Sequence, residues 1–586
     1  MRCKIRKKNG KEHRSWSVVE NQRLADGRVV QRHVLYLGEI NDSQNLAWRK
    51  SVAAFLEGQP DQPPATLAWF PADQAVEAMA PEQIVRLHLA GLKLCRPRQW
   101  GAGWLALHLW RELGLDQFWW QRLPPNRKGT RWDQILTVLV CYRLLDPGSE
   151  WQLHRQWFLQ SALADLLGGD FGLAEEHKLY HCHDHLLRHK AELFTHLRDR
   201  WRDLFNASFE VLLYDLTSTY FESNPPFPPG DKRSDCVQVV IALIVTPEGF
   251  PLAYEVLSGH TSDKTTLQDF LARIEKQYGK AQRIWIMDRG IPTEETLEQM
   301  RTQDPPVQYL VGTPKGRLTQ YEQALLAQPW QRAREGVHVK LLPQDGEWYV
   351  LAQSQDRVAK ERSMRRRQLK WLWRRLKEIQ AMELSRDPLM KKLGVAQHEA
   401  PTAWRLVTVA VAATKKGQRA SFTFQLRKDK LRITRRREGR HLLRSNLTET
   451  DPGKLWSFYL QLTQVEEAFK NLKGDLAIRP IYHQHEARIE AHIFIAFLAY
   501  CLHVTLGRRV RDLAPGLTTR SVLEKFAAVQ MLDVRIPTTD QREVVLTRYT
   551  QPEPELLLLL EKLKLELPPQ PPPKITAPPR KADEPL

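Results

Sequence analysis

Between residues 206 and 315 the apolar residues come in short bursts rather than helical stripes, and this limits the folds open to the chain more than any other feature. VLLYDLTSTYF (211–221), CVQVVIALIVTPEGFPLAYEVL (236–257), IWIMD (284–288) and VQYLVGTP (307–314) are strand candidates. The second contains the turn Pro247-Glu248-Gly249 and reads as two antiparallel strands. TTLQDFLARIEKQYG (265–279) reads as the helix that a crossover between strands needs. The expectation is an α/β sheet. Two carboxylates stand where apolar runs stop: Asp215 after Val211–Tyr214, and Asp288 after Ile284–Met287. Alternation puts residues 211, 213 and 215 on one face. The carboxyl edge of such a sheet is where open α/β folds place ligands. For either aspartate alone, the start of a turn explains the position equally well.

A chain of 586 residues is too long for one core, so several units are expected. Residues 1–58 read as a small β-containing module with a hairpin turning at Ala25-Asp26-Gly27. A linker with short helices (59–104) and a helical region (105–205) follow. The α/β core (206–315) is then interrupted by a β-rich insertion (316–453). The insertion contains the strand candidates HVKLLP, EWYVLAQ, AWRLVTVAVAAT, SFTFQL and HLLRSNL, and a helix from about Asp356 to Met382. The core resumes at 454–510 with helices from Lys454 to about Leu476 and from about Ala487 to Leu506. A helical region (511–566) and a Pro-rich, disordered tail (567–586) complete the expectation.

Charge narrows the partner. Lys and Arg number 87 against 68 Asp and Glu, a net +19 that points to a polyanion, nucleic acid before an anionic membrane. The 42% hydrophobic and 26% charged content is that of an ordinary globular protein. Six scattered cysteines without CxxC spacing form neither a disulfide framework nor a cysteine zinc site. The basic N-terminus is followed by no signal-like apolar stretch, so a cytoplasmic location without a membrane is the expectation. IEAHIFIAFLAYCLHVTL (489–506) carries Glu490, His492 and His503 and reads as a buried core helix.

A third carboxylate lies in YLQLTQVEEAFKNLKGDL. At about 100° per residue, Tyr459, Leu462, Glu466 and Lys473 share one stripe beside the apolar face, whereas Glu467 points away. Solvated surface charge is the ordinary explanation for such a helix. It weakens once two aspartates stand upstream. Three carboxylates on one sheet edge repel unless a cation neutralises them, and all-oxygen ligands select Mg2+, with Mn2+ as a substitute. Two such ions suit in-line phosphodiester displacement.

The order Asp215, Asp288, Glu466 resembles the DDE-type transposases of bacterial insertion sequences, whose catalytic fold is ribonuclease H-like. The helix resembles the YREK signature of one large group, Tyr-x2-Arg-x3-Glu-x6-Lys: Tyr459, Glu466 and Lys473 match, and Leu462 stands in place of the Arg. YDLTSTYFE, DCVQVVIALIVTPEGFPLAYEVLSGHTSDKTTL, MDRG and VEEAFKNLKGDLAIRPIYHQHEARIEAHIFIAFLA extend the resemblance, and VVENQRLADGRVVQRHVLYLGEIND is similar to one subgroup's N-terminal region. It implies Asp215, Asp288 and Glu466 as catalytic metal ligands for two ions, with Tyr459 and Lys473 engaging phosphates. It also implies double-stranded DNA as partner, at the element's terminal inverted repeats and at the target; because two ends must be joined to one target, a homodimer or higher assembly on DNA is the expectation. Leu462 cannot bond a phosphate, so another Arg substitutes or that contact is missing. The alternatives are a ribonuclease H-like nuclease without strand transfer, or a catalytically silent DNA-binding derivative.

Further DNA contacts are expected at Arg289 and Lys470 and along KERSMRRRQLKWLWRRLKEIQ (360–380). From Lys360 to Lys377 that run has nine cations opposed only by Glu361. Arg365, Arg366, Arg367, Lys370, Arg374 and Arg375 are the candidates, and Trp371 and Trp373 either pack on the insertion or stack on bases. The patch Arg432, Arg435–Arg437 and Arg440 is a second basic cluster. HKLYHCHDHLLRHK (177–190) tempts a zinc reading, with His181 and His185 on one helical face. No second ligand pair follows, and a His-rich helical surface is the preferred reading.

Overall fold

The computed structural model describes residues 1–8, 11–23, 29–38, 40, 44–46, 48–50, 52, 86–125, 129–220, 229–230, 233–258, 267, 272, 274–275, 283–288, 291–313, 318–412, 419–479 and 481–576. The turn at 25–27, residues 59–85 of the expected linker, Arg289 and most of the 265–279 helix lie outside them.

The α/β expectation is met by one large mixed sheet. Its core strands are β1 (Val211–Tyr220), β2 (Arg233–Val245), β3 (Pro251–Ser258), β4 (Ile284–Met287) and β5 (Gln308–Thr313). β1–β2 and β2–β3 are antiparallel, while β1–β4 and β4–β5 are parallel. The spatial order is therefore β3-β2-β1-β4-β5, with the first strand central. The β2–β3 turn needs a backbone that L side chains rarely adopt: Gly249 has φ +95°, and an added Cβ would meet Val504 at 3.3 Å. Tyr500 donates to the Gly249 carbonyl at 2.8 Å, docking that turn on the core.

Four strands of the insertion do not form a sheet apart. β6 (Gln331–Arg334), β7 (Val337–Gln344), β8 (Glu347–Ser354) and β9 (Arg440–Ser445) continue the core sheet antiparallel, with β9 between β8 and β5. A buried polar network fixes this join. Arg444 on β9 donates to both Glu347 oxygens at 2.6–2.8 Å and to Glu294 at 2.7 Å, and Tyr309 on β5 donates to Glu347. Burial alone would lower the Arg444 pKa, but the bonds from Glu347 and Glu294 outweigh it and hold the guanidinium above its ordinary value. The basic helix runs Gln355–Ala381, close to expectation, and packs with helix Arg386–Glu399 and the hairpin Val407–Val411/Phe422–Leu426 into a small core of their own.

After β9 the chain enters helices α1 (Pro452–Leu460), α2 (Thr463–Lys473) and α3 (Glu486–Leu513). A single helix is expected from Lys454 to Leu476, but the chain breaks at Gln461–Leu462, where Gln461 and Leu462 bond back to Phe458 and Tyr459 in tight i−3 turns. α3 is apolar enough and long enough to cross a membrane, yet 89% of its apolar window is buried inside the protein. It is the core helix that its composition suggests, apolar all round because neighbours cover it all round. Helices from the 105–205 region, among them Trp132–Leu145 and Glu176–His183, pack on it and share one hydrophobic core with the sheet.

Three departures lie at the ends. The N-terminal hairpin gains a further strand, Arg2–Lys8. Lys93–Gln99, expected in a linker with short helices, is a strand paired with Gln530–Pro537, which in turn pairs with Glu543–Tyr549 where only helix is expected. Arg98 is buried in this join and bonds both Asp165 and Asp533. The start of the tail is ordered: Tyr549 and Gln570 exchange hydrogen bonds at 2.9–3.0 Å, and Lys574–Ile575 adds an edge strand. A Pro-rich run cannot propagate a helix, but it can lie along a sheet edge.

Candidate active site

The parallel ladder between β1 and β4 ends at the pair Tyr214–Met287. The next residues are Asp215 and Asp288, which leave it side by side on strands about 4.8 Å apart. Asp215 does not end its strand: β1 continues to Tyr220 against β2, and only the parallel neighbour stops. The sheet therefore opens on one side of Asp215, which is half-buried, as is Asp288. Its Oδ1 accepts from the Leu216 amide at 2.8 Å.

Helices α1 and α2 cross the face carrying Asp215. Tyr459 donates its hydroxyl to Asp288 Oδ1 at 2.8 Å. Lys473 bonds Thr217, which shares the Asp215 face two residues on. Glu466 is exposed in the first turn of α2 and joins Asp215 and Asp288 on the wall of one cavity of about 380 Å³. Tyr459 and Leu462 line it as well, whereas Glu467 does not. The stripe read from helical spacing thus survives the break between α1 and α2, because the two tight turns change the path without turning the face away.

The basic part of the lining was not legible in the sequence. Arg334 at the end of β6, Arg357 in the first turn of the basic helix and Arg440 at the start of β9 line the same cavity. They arrive there because the insertion strands extend the catalytic sheet. Only Arg440 stands out in the sequence, and then as part of a remote basic patch. Three carboxylates and three guanidinium groups thus line one cavity of about 380 Å³, a donor set of hard oxygens within a cationic frame.

The basic helix divides its cations. Arg366, Arg367, Lys370 and Arg374 are exposed and Arg375 is half-exposed; Arg374 and Arg375 share Glu378. Arg365 departs from the expectation of a DNA contact: it is 6% exposed and pairs with the buried Glu438. Burial, then Arg435, Arg362 and Arg366, push its pKa down. Trp371 packs in the insertion's core and Trp373 meets Phe424 edge-on at 4.7 Å, so packing rather than base stacking occupies both rings. Lys470 is exposed on α2, outside the cavity wall.

Residues 207–502, just over half of the chain, match the family described as transposase DDE domain. The chain belongs to the DDE transposase family. Residues 1–63 match the IS1634 family transposase N-terminal domain, in line with the resemblance of the N-terminal hairpin. The protein is thus an insertion-sequence transposase, an enzyme of DNA strand cleavage and strand transfer that uses a divalent metal and acts on DNA. No curated protein matches the chain. Among solved structures, the transposase is similar to a piggyBac transposase synaptic complex with hairpin DNA, seen by cryo-EM. Identity is 10%, 74% of this chain and 82% of that one are covered, and the TM-score is 0.34, a likeness too loose to bear on any residue.

Proposed function

We propose that Asp215, Asp288 and Glu466 are the catalytic carboxylates of this transposase and hold two Mg2+ ions, with Mn2+ as a substitute. The observation that carries this reading is the register of β1 and β4, which sets the two aspartates side by side, together with the cavity they share with Glu466. Two such ions, when bound, activate a water or 3′-hydroxyl and stabilise the departing oxygen of an in-line displacement. The chain's own groups do the positioning. Tyr459 holds the Asp288 carboxylate by its outer hydrogen bond, and Lys473, anchored at Thr217, brings a positive charge to the Asp215 face. Arg334, Arg357 and Arg440, which line the same cavity, meet backbone phosphates and take over the contact that Leu462 cannot make.

One carboxylate set then serves both reactions: hydrolysis that frees a 3′-hydroxyl at the element's end, and attack of that hydroxyl on target DNA. The duplexes are the terminal inverted repeats and the target. Two ends meeting one target call for a homodimer on DNA, acting at the nucleoid in the bacterial cytoplasm. Arg366, Arg367, Lys370, Arg374 and Arg375, with Lys470 and Arg289, supply further phosphate contacts. The helical 105–205 region contributes to end recognition.

The ligand assignment is tested by metal rescue. Asp288→Cys is expected to lose cleavage in Mg2+ and regain it in Mn2+, which accepts thiolate more readily, while Asp288→Ala regains it in neither. Cleavage by Asp288→Ala in Mg2+ within about tenfold of the parent, a loss of only about 1.4 kcal/mol, would contradict the assignment.

A further inference from the structure

Among the described residues, the tightest grouping of metal-ligating side chains lies away from the acidic trio. Glu150, His183, His483 and His492 are all buried, at 5%, 1%, 7% and 4% exposure, and one ligand atom from each lies within 4.8 Å of all the others. Glu150 Oε1 is 3.3 Å from His183 Nε2, 3.4 Å from His483 Nε2 and 3.8 Å from His492 Nδ1. The edge of a tetrahedron with ligands about 2.0–2.1 Å from its centre is about 3.3 Å; the three separations from Glu150 lie at or just above it, and the His–His separations stay within 4.8 Å, so the four groups would draw in around an ion.

Within the cluster His483 Nε2 bonds Glu150 Oε1 at 3.4 Å, while the other two rings keep ligand atoms that this bond does not use. His183 Nδ1 donates to the Leu179 carbonyl at 3.0 Å, which turns Nε2 toward Glu150. That outer bond to a carbonyl is the usual way a ligating imidazole is oriented. His183 Nε2 and both ring nitrogens of His492 are buried without a hydrogen-bond partner, and leaving such atoms unmet costs about 1–3 kcal/mol each. Arg143 is buried beside them, but its Nη1 donates to the Ala477 carbonyl at 3.1 Å and its Nε has no partner, so its charge leaves the ring atoms unmet.

We propose that Glu150, His183, His483 and His492 form a closed site for one structural zinc ion. Three imidazoles and a carboxylate suit zinc, and four protein ligands leave no position for substrate. Glu150 and His183 come from the helical region; His483 precedes α3 and His492 lies on it, in the second half of the catalytic core. The ion therefore pins the helical region to the core. The His-rich segment does contribute, but through His183. His181 is exposed and meets Asp184 at 3.4 Å, while His185 packs on Trp132 at 4.9 Å. The remaining ligands lie outside the segment, and two of them some 300 residues further along the chain, so no local spacing reveals them.

This site is independent of the catalytic assignment, and its test can be kept so. Full-length protein without a polyhistidine tag is purified in chelator-treated buffer and its metal content measured. One equivalent of zinc per chain is expected, retained by the Asp215→Ala/Asp288→Ala/Glu466→Gln variant and lost from His483→Gln/His492→Gln. Replacement by Co2+ should give the intense visible bands of a tetrahedral centre. Should the histidine variant fail to fold, the parent's zinc content and Co2+ spectrum still decide. A parent that melts cooperatively, carries no zinc and gives no tetrahedral Co2+ spectrum overturns the proposal, as does zinc lost with the acidic trio instead.

Discussion

Asp215 and Asp288 matter because of a ladder neither belongs to at its end: four pairs between β1 and β4 fix where both carboxylates emerge. Tyr459 is the side chain that then fixes how one of them points. On the proposed assignment its hydroxyl is an outer bond to a metal ligand, and losing such a bond typically costs about 10–100-fold in metal affinity or activity. Tyr459→Phe is therefore expected to raise the Mg2+ concentration needed for half-maximal cleavage by that order, with DNA affinity little changed. An unchanged Mg2+ dependence would show that the bond does not bear on the metal. Leu462 lines the cavity and is only 8% exposed, so its place in the lining is apolar; the proposed phosphate contact is assigned to the arginines of the same cavity instead.

At the level of elements, the join between insertion and core rests on Glu347 and Arg444, 4% and 6% exposed. Removing Glu347 leaves the buried Arg444 with only the exposed Glu294, and breaking a buried ion pair costs up to about 3–5 kcal/mol. Glu347→Gln should lower stability by that order and, since β9 carries Arg440 to the cavity, weaken cleavage as well. Denaturant midpoints and cleavage rates measured together check this; a variant as stable as the parent would mean the network is not what holds β9. The strands themselves were legible: β1, β4, β5, β7, β8 and β9 fall close to their apolar runs, because short β-branched bursts have few other uses. Which strands pair was not. β9 reaches β5 and β8 across the whole inserted helix pair, and Lys93–Gln99 reaches Gln530–Pro537 from the other end of the chain, partnerships that no local pattern encodes. The break in the Glu466 helix escaped too, since neither Gln461 nor Leu462 is a helix breaker and tertiary packing overrides propensity there. The candidate site fared better, with its acidic residues, Tyr459 and Lys473 readable from position and spacing. Its arginine wall depended on the unseen pairing.

On the scale of the molecule, the net charge of +19 sets how the transposase meets DNA. Each phosphate contact contributes about 0.9 to the slope of log affinity against log salt. Replacing the exposed Arg366, Arg367 and Lys370 by Gln is expected to shallow that slope by about 2–3, whereas Arg365→Gln should leave it alone and instead destabilise the fold by leaving the buried Glu438 with only the exposed Arg362 at 3.6 Å. Salt titrations of binding with both variants separate the two roles, and an unchanged slope for the triple variant would remove the helix from the DNA path. The shared hydrophobic core of helical region, sheet and C-terminal helices makes the described body one unit around α3, with the acidic cavity at the sheet's carboxyl edge.

The central claim is that Asp215, Asp288 and Glu466 act as one metal-holding set. The most direct measurement is joining of a pre-cut element end with a free 3′-hydroxyl to target DNA in Mg2+, for the parent and for Asp215→Ala, Asp288→Ala and Glu466→Gln singly. Joined product from the parent, none from any of the three, and end-binding preserved in all four is the expected result. A variant that still joins ends at a rate comparable with the parent would contradict it.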